Sequence, residues 1–442
     1  VHKNVSSKTK VTTVDTRDLI QLNLCNYTAP NENSGINAGH SLKFYAYGAT
    51  TGTTNKNWYT GSSNLYAGIV KNTLGTDGYP VLTKKEGGES LSYLFDNTEV
   101  TGKIGIYTDA SYLFSYDSAT GYYSYDSAAQ DAVLNTQTNE FTVYSGSNGF
   151  FPFGTDTTDN HFSFGMNMGV SFIQPKNGKI AGSDMVFDFS GDDDVWVYLD
   201  GVLVLDLGGI HGAATGSINF ASGEVTGYAV ANAKSYGASN TDTTIYDAYV
   251  ESGLYTDEQL AEMFDITYAA NGSVQSAVYS DYTNHSMKVF YLERGGTASN
   301  CKITFNIPAV PQNTVSVTKK VSALDSNAAI DTDATYQFQL YSGATADSCT
   351  LVKNTTYDIY ENGADTGEDG TIGEDGIFEL KNGQTAVFAQ SVDETYFYAK
   401  ELSVSDEYTV YANGEKLTND GTGTYTSSVN QIVNGTGNIL VT

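Results

Sequence analysis

The sequence is poor in cysteine and proline, and each shortage excludes a class of protein. Its 442 residues include three cysteines and six prolines. The cysteines lie far apart and none belongs to a CxxC pair, so at most one disulfide can form and no zinc site is indicated. Few prolines, 33 tyrosines and abundant Thr and Val favour β-strands over helix or disorder.

Positive charge and long apolar runs are also scarce. The 22 basic residues face 51 acidic ones, which gives a formal net charge of −29. Such an acidic chain is repelled by phosphate backbones and anionic membranes, so nucleic-acid binding is not expected. No run of about 18 apolar residues occurs, so we expect no membrane insertion by this segment.

Catalytic patterns are missing as well. We find no Ser/His/Asp or Cys/His set and no phosphate-binding glycine loop, and the acidic residues that stand out are adjacent in sequence. We therefore predict that the protein is not an enzyme. A glycoside hydrolase that uses two carboxylates is the alternative.

The most informative stretch is residues 185–211, MVFDFSGDDDVWVYLDGVLVLDLGGIH. It predicts a strand, an acidic corner, a second strand, a tight turn at Asp200-Gly201 and a returning third strand. Along the second strand, Val195, Val197 and Leu199 share one face, and Trp196 and Tyr198 share the other.

The acidic corner consists of Asp192, Asp193 and Asp194. Three adjacent carboxylates repel one another, so a corner beside buried strands needs a cation, a set of N–H donors or full solvation. Hard oxygen ligands of this kind favour Ca²⁺ over zinc or copper, and we predict a calcium site formed by these three residues. A solvated acidic turn is the alternative.

The run GDDDVWVYLDG resembles the sugar-binding PA14 superfamily. With the ordered runs GIVKNTL, SYLF, HFSFGMNM, GGIHG and FYLERG, residues 15–308 resemble its bacterial relative, the fibro-slime domain of surface proteins. The resemblance implies that Asp192 and Asp193 are joined by a cis peptide and coordinate Ca²⁺, which in turn binds sugar hydroxyls. Asp194 departs from the pattern, because many PA14 members have glycine there.

Three further residues complete the predicted ligand-binding set: Trp196, His211 and Trp58. The glycines of Gly208-Gly209-Ile210-His211-Gly212 allow a turn that brings His211 close to the acidic corner. Farther along, Glu293-Arg294 is interpreted as a structural ion pair at a turn.

After a short linker at 309–313, the pattern starts again. The runs VSVTKKV, YQFQLY and ETYFYAKEL resemble the Cna-B-like and pilin-type immunoglobulin-like domains of Gram-positive surface proteins. That resemblance implies an isopeptide bond in which Lys319 is the nucleophile and Glu401 the buried acid. The acceptor is Asn434, Asn438 or a residue beyond this sequence, and an ordinary lysine without a crosslink is the alternative. The chemistry needs a desolvated, neutral lysine and a protonated carboxyl group.

These observations predict an all-β protein: a PA14-like β-sandwich with long loops and one short helix (256–264) in residues 1–311, then an immunoglobulin-like β-sandwich in residues 312–442. The resemblances imply a secreted adhesin attached to the cell wall or a pilus, which binds carbohydrate or a glycosylated host or plant-wall surface. Other pilus or cell-wall proteins are possible partners. A structural pilus or surface-layer subunit without sugar binding is the alternative.

Overall fold

The computed structural model describes residues 9–28, 34–44, 64–154, 162–229, 234–235, 243–294, 298–323, 329–390, 394–432 and 436–442. Its strands form two β-sandwiches, which confirms the predicted all-β class. Two predicted site residues, Trp58 and Asn434, lie outside the described residues.

The first sandwich has two antiparallel sheets, which we call the front sheet and the back sheet. The front sheet runs in the order Val202–Leu207, Asp194–Leu199, Asn284–Glu293, Phe164–Ile173, Ile20–Tyr27 and Lys103–Tyr107, with Ala309–Val310 also paired to Phe164–Ile173. The back sheet runs in the order Thr243–Thr244, Glu224–Ala229, Ala214–Asn219, Val186–Gly191, Cys301–Phe305, Tyr122–Asp126 and Ser115–Asp117.

The predicted division of faces along the strand Asp194–Leu199 is confirmed. Val195, Val197 and Leu199 lie in the main core between the two sheets, whereas Trp196 and Tyr198 lie in a second core that covers the outer face of the front sheet. Both residues of the Asp200-Gly201 turn have positive φ, 47° and 85°, as a two-residue hairpin requires.

The first sandwich also carries four short two-stranded sheets among the described residues. They pair Gln130–Asn135 with Glu140–Ser145, Phe264–Tyr268 with Val274–Tyr279, Lys179–Ile180 with Ser183–Asp184, and Asn64–Leu65 with Lys234–Ser235.

The sequence predicted one short helix, whereas the described residues contain three. The described residues contain α-helices at Ser92–Phe95, Ile245–Ser252 and Asp257–Met263, and 3-10 turns at Gly35–Asn37, Lys84–Glu86, Lys176–Gly178 and Ala346–Ser348. The unpredicted helix Ile245–Ser252 is capped by the Thr244 hydroxyl and buries Ile245, Ala248 and Tyr249 on one side. In the predicted helix, Thr256 and Gln259 form a capping box.

The second sandwich also has two sheets. The larger runs in the order Ala364–Ile372, Thr355–Glu361, Gln384–Ala389, Thr314–Lys319, Thr436–Val441, Tyr411–Ala412 and Glu415–Lys416. The smaller joins Thr350–Leu351, Thr335–Gly343, Tyr396–Leu402, Tyr425–Thr426, Ile377–Lys381 and Asn430–Gln431. Thr314–Lys319 and Thr436–Val441 pair in parallel.

The two sandwiches are packed directly against each other. The first two residues of the predicted linker are not a linker, because Ala309–Val310 is a strand of the front sheet. An apolar cluster crosses the junction, and the Lys176 backbone N–H donates to Asn362 Oδ1 at 2.5 Å. The cluster, which we call the joint, consists of Ile173, Tyr282, Val310, Tyr360 and Val387, with Leu440 against it.

Candidate functional site

The acidic corner is the point where the chain crosses between the two sheets of the first sandwich. Val186–Gly191 belongs to the back sheet and Asp194–Leu199 to the front sheet. A Cβ on Gly191 would lie 2.2 Å from the Asn300 carbonyl oxygen, so only glycine permits this close approach. Asp193 adopts a left-handed conformation with φ of 62°.

The first two carboxylates of the corner are held mainly by backbone N–H groups. Asp192 accepts hydrogen bonds from the backbone N–H of Asn300 and from its side-chain amide, the latter at 2.9 Å. Asp193 accepts from the backbone N–H groups of His211 at 3.2 Å and Arg294 at 2.6 Å.

The third carboxylate adds a buried ion pair. Asp194 accepts from the Gly209 backbone N–H at 2.8 Å and from Arg294 Nε at 2.5 Å. The Arg294 side chain is fully buried, and its Nη1 donates to the Lys43 carbonyl oxygen at 2.8 Å. All six carboxylate oxygens of the corner therefore accept a hydrogen bond from an N–H group.

Burial dominates the electrostatics of the corner. It raises the pKa of Asp193 to about 8, with the Arg294 guanidinium opposing the shift and the charges of Asp192 and Asp194 adding to it. Burial also raises the pKa of Asp192, and it raises that of nearby Asp206 to about 6. One guanidinium does not balance this many carboxylates, so the corner favours holding a proton near neutral pH.

The calcium ion implied by the resemblance would be held by Asp192, Asp193 and Asp194. The peptide bonds of the described chain are all trans, so the implied cis bond is absent there. Among the described residues no group of three or more His, Cys, Asp or Glu is arranged to hold a metal. The carboxylates point to separate donors, whereas calcium needs several oxygens directed at one point, so this arrangement does not fit the ion.

The other predicted ligand residues take structural positions. Trp196 is 0% exposed in the second core, which is incompatible with its predicted contact to a ligand. His211 does lie beside the corner, as predicted, through its backbone N–H. Its ring nitrogens approach carbonyl oxygens instead, Nδ1 at 2.7 Å from Gly212 and Nε2 at 3.0 Å from Leu207.

Arg294 is the residue of this site that the sequence-based prediction missed. It was paired with its neighbour Glu293, but its guanidinium binds Asp194, 100 positions earlier in the sequence. One signal was available: Arg294 is one of two arginines in a chain with 51 acids. A rare guanidinium in an apolar strand end is a candidate partner for buried carboxylates.

In the second sandwich, the structure brings Lys319 and Glu401 together. They come from facing sheets, with Nζ 2.7 Å from Oε1, and both are nearly fully buried. The Tyr336 ring lies 4.6 Å from Nζ. Burial raises the pKa of the Glu401 carboxyl, and the neighbouring lysine opposes the shift.

The alternative acceptor Asn438 is on the wrong face of its strand. The hydroxyls of Ser316 and Thr318 donate to its Oδ1 at 2.7 and 3.2 Å, on the side of the sheet opposite Lys319. Strand side chains alternate, so Ile439 and Val441 share the lysine's side and Asn438 does not. The prediction of Asn438 was therefore wrong, and Asn434 lies outside the described residues.

Sequence comparison finds similarity to psi proteins of Dictyostelium discoideum, and no family model matches the chain. The chain is 30% identical to protein psiF of Dictyostelium discoideum over 176 residues, which covers 37% of this chain and 23% of psiF. It is 31% identical to psiD over 175 residues and 29% identical to psiQ over 195 residues. The matches span between 18% and 30% of the length of these three relatives, so only a part is shared.

Structural comparison gives weaker likenesses. A bacterial adhesin from Mobiluncus mulieris with disulfide, isopeptide and ester crosslinks aligns over 63% of this chain and 88% of its own, at 10% identity and a TM-score of 0.16. The major pilin SpaD from Corynebacterium diphtheriae aligns over 96% of this chain and 93% of its own, at 10% identity and a TM-score of 0.13. TM-scores this low do not establish a shared fold. The fibro-slime, PA14 and Cna-B resemblances therefore stay predictions.

Proposed function

We propose that this chain is part of a bacterial surface adhesin, located outside the cell and attached to the cell wall or a pilus. Its first sandwich binds carbohydrate and its second sandwich is an immunoglobulin-like stalk. The observation that carries the proposal is the joint, which packs the two sandwiches directly together through Ile173, Val310 and Val387. A packed junction suits a protein that holds a surface at a fixed distance, because the two parts move together.

Carbohydrate on a host or plant-wall surface is the proposed partner of the first sandwich. It rests on the resemblance carried by GDDDVWVYLDG, whose strand Asp194–Leu199 pairs with the edge strand Val202–Leu207 of the front sheet. A glycan array, run with calcium and with chelator, tests it. Binding to defined glycans supports the adhesin, whereas an array without any binding favours a structural pilus or surface-layer subunit.

The absence of enzymatic activity stays a prediction. Release of product from aryl glycosides or polysaccharides by the purified chain would contradict it and would favour the glycoside hydrolase alternative.

Calcium binding at the acidic corner also stays a prediction of the resemblance. The arrangement of the three carboxylates, each bound to its own N–H donors, argues against it. Thermal melts of the wild type and Asp193→Ala, with calcium and with chelator, separate the two. A wild-type midpoint that rises by several degrees in calcium, with no response in the variant, assigns a metal site. Equal midpoints with calcium and chelator assign a corner closed by N–H donors.

We further propose that Lys319 and Glu401 form the centre of an isopeptide crosslink. Lys319 Nζ would attack the side-chain amide carbon of an asparagine, forming a C–N bond and releasing ammonia, with the Glu401 carboxyl polarising the amide. Asn434, or a residue that follows Thr442 in a longer chain, would be the acceptor. Intact mass tests this: a deficit of one ammonia that disappears in Lys319→Ala supports the bond, and a full mass in the longer chain rules it out.

A further inference from the structure

A cleft with both polar and apolar lining lies beside the joint, where both sandwiches contribute to its walls. Its volume is about 630 Å³, and its lining includes Ser286 and Lys288 from the front sheet and Asn430, Gln431 and Asn438 from the second sandwich. A second cavity of about 270 Å³ continues it and shares Asn284 and Asn438. The cleft is separate from the acidic corner, none of whose three aspartates lines it.

Lys288 supplies the positive charge of this cleft. It lies on the outer face of the front sheet, opposite Gly169 and Tyr198 in the register. Within the described residues no hydrogen bond or ion pair reaches its amine, and burial lowers its pKa while Asp77 opposes the shift. A partly buried ammonium without a partner gains most from an anionic ligand group.

Amide side chains line other parts of the cleft. The hydroxyls of Ser316 and Thr318 hold Asn438 Oδ1, which leaves its NH₂ group for the cleft. The exposed side chains of Asn284 and Gln431 form no hydrogen bond within the described part of the chain. Primary amides both donate and accept, which matches the hydroxyl groups of a sugar.

The carboxylate in the lining of the larger cavity, Asp200, is already engaged. Asp200 accepts from the Ser286 backbone N–H at 2.7 Å and from the Tyr249 hydroxyl at 2.9 Å, and its Oδ2 lies 2.6 Å from His285 Nδ1. These contacts spread the Asp200 charge over groups inside the protein. Among the charged side chains that line the larger cavity, Lys288 is therefore the one that remains for a ligand, whereas the exposed Glu262 lines the second cavity.

We propose that the cleft binds a glycan that carries a sugar carboxylate. Lys288 would pair with the carboxylate, and Asn284, Gln431 and Asn438 would bind the neighbouring hydroxyls. The net charge of −29 repels polyanions, so a glycan with a single acidic sugar fits better than a long polyuronate or a nucleic acid. This inference rests on the proposed carbohydrate binding, but it places the sugar at the junction of the sandwiches instead of the acidic corner.

The test uses two matched pairs of probes with the full chain in a titration calorimeter. Sialyllactose against lactose represents animal glycans, and digalacturonic acid against its methyl ester represents plant walls. We expect the chain to bind at least one acidic member and to bind its neutral partner at least tenfold more weakly. The acidic probe that binds identifies the source of the sugar.

Two variants, one in each sandwich, locate the site. Lys288→Met keeps the apolar stem and removes the charge, and Gln431→Ala removes an exposed amide. We expect each to weaken binding, Lys288→Met by at least tenfold. Lys302→Met, which alters an exposed lysine paired with Asp126 on the back sheet, is the matched control and should bind as the wild type does.

The outcomes separate this inference from the proposed function. If a glycan binds but Lys288→Met and Gln431→Ala bind it equally well, the cleft is not the site and the adhesin proposal stands. If the neutral probes bind as tightly as the acidic ones, the carboxylate assignment is wrong. If no glycan binds in this titration or on the array, both proposals fall.

Discussion

The acidic corner and the Lys319–Glu401 pair both bury charge, but they stabilise it in different ways. In the corner, four of the six carboxylate oxygens accept from backbone N–H groups, so the charge is held by the fold itself. Lys319 and Glu401 face each other inside an apolar core, and within the described residues no other hydrogen bond reaches the Glu401 carboxyl group. Replacing a carboxylate that the backbone holds leaves backbone N–H groups without an acceptor and lowers stability. A pair of side chains can instead be replaced together by apolar residues, or can react with each other's neighbours.

The largest expected effect comes from removing the cation of the corner. Arg294→Met leaves buried carboxylates without a counter-charge, and we expect the free energy of unfolding to fall by about 3–5 kcal/mol. Urea denaturation measures it. The control Lys302→Met breaks an exposed pair and should cost no more than about 1 kcal/mol. An Arg294 variant as stable as this control would break the comparison.

The second effect tests whether the stalk pair is replaceable. In protein whose mass shows a free Lys319, Glu401→Gln strands a buried ammonium and should cost about 3 kcal/mol. The double variant Lys319→Met/Glu401→Leu removes both charges, and it should recover to within about 1 kcal/mol of the wild type. A double variant as unstable as the single one would show that the stalk pair is no more replaceable than the charges of the acidic corner.

The third effect is the pH dependence of the corner. The folded pKa of Asp193, about 8, exceeds its ordinary value of 3.8, so the folded state keeps a proton that the unfolded state releases between these values. Stability should therefore fall by about 2 kcal/mol as pH rises from 6 to 8. Asp193→Asn should flatten most of this slope, leaving the smaller part due to Asp192 and Asp206, whose pKa values are also raised. Urea denaturation at several pH values decides it, and an unchanged slope in the variant would exclude Asp193 as the cause.

The smallest effect concerns the ring beside the stalk lysine. Tyr336→Leu removes the aromatic face 4.6 Å from Lys319 Nζ and should cost about 1 kcal/mol. Tyr341→Leu, whose ring lies 5.0 Å from the more exposed Lys400, should cost about half as much through this contact. Thermal melts compare the two, and equal losses would mean that burial does not strengthen the ring contact.

Local patterns predicted the hairpin of Asp194–Leu199 and Val202–Leu207, because alternation and the Asp-Gly turn depend on neighbouring residues. Contacts between distant segments were not predictable in the same way: Arg294 reaches Asp194 across 100 positions, and the joint gathers residues from Ile173 to Val387. The sequence alone could have excluded Asn438 as the acceptor of the isopeptide bond. The apolar residues Ile439 and Val441 already indicate which face of that strand is buried.

The parallel pairing of Thr314–Lys319 with Thr436–Val441 has a mechanical consequence. Six residue pairs join these strands, and the start of the first lies at the opposite end of the pair from the end of the second. A pull applied at Thr314 and at Val441 would therefore load the hydrogen bonds between them in shear. All of them must break together instead of unzipping one at a time, so the rupture force of this sandwich should be high even without a covalent crosslink.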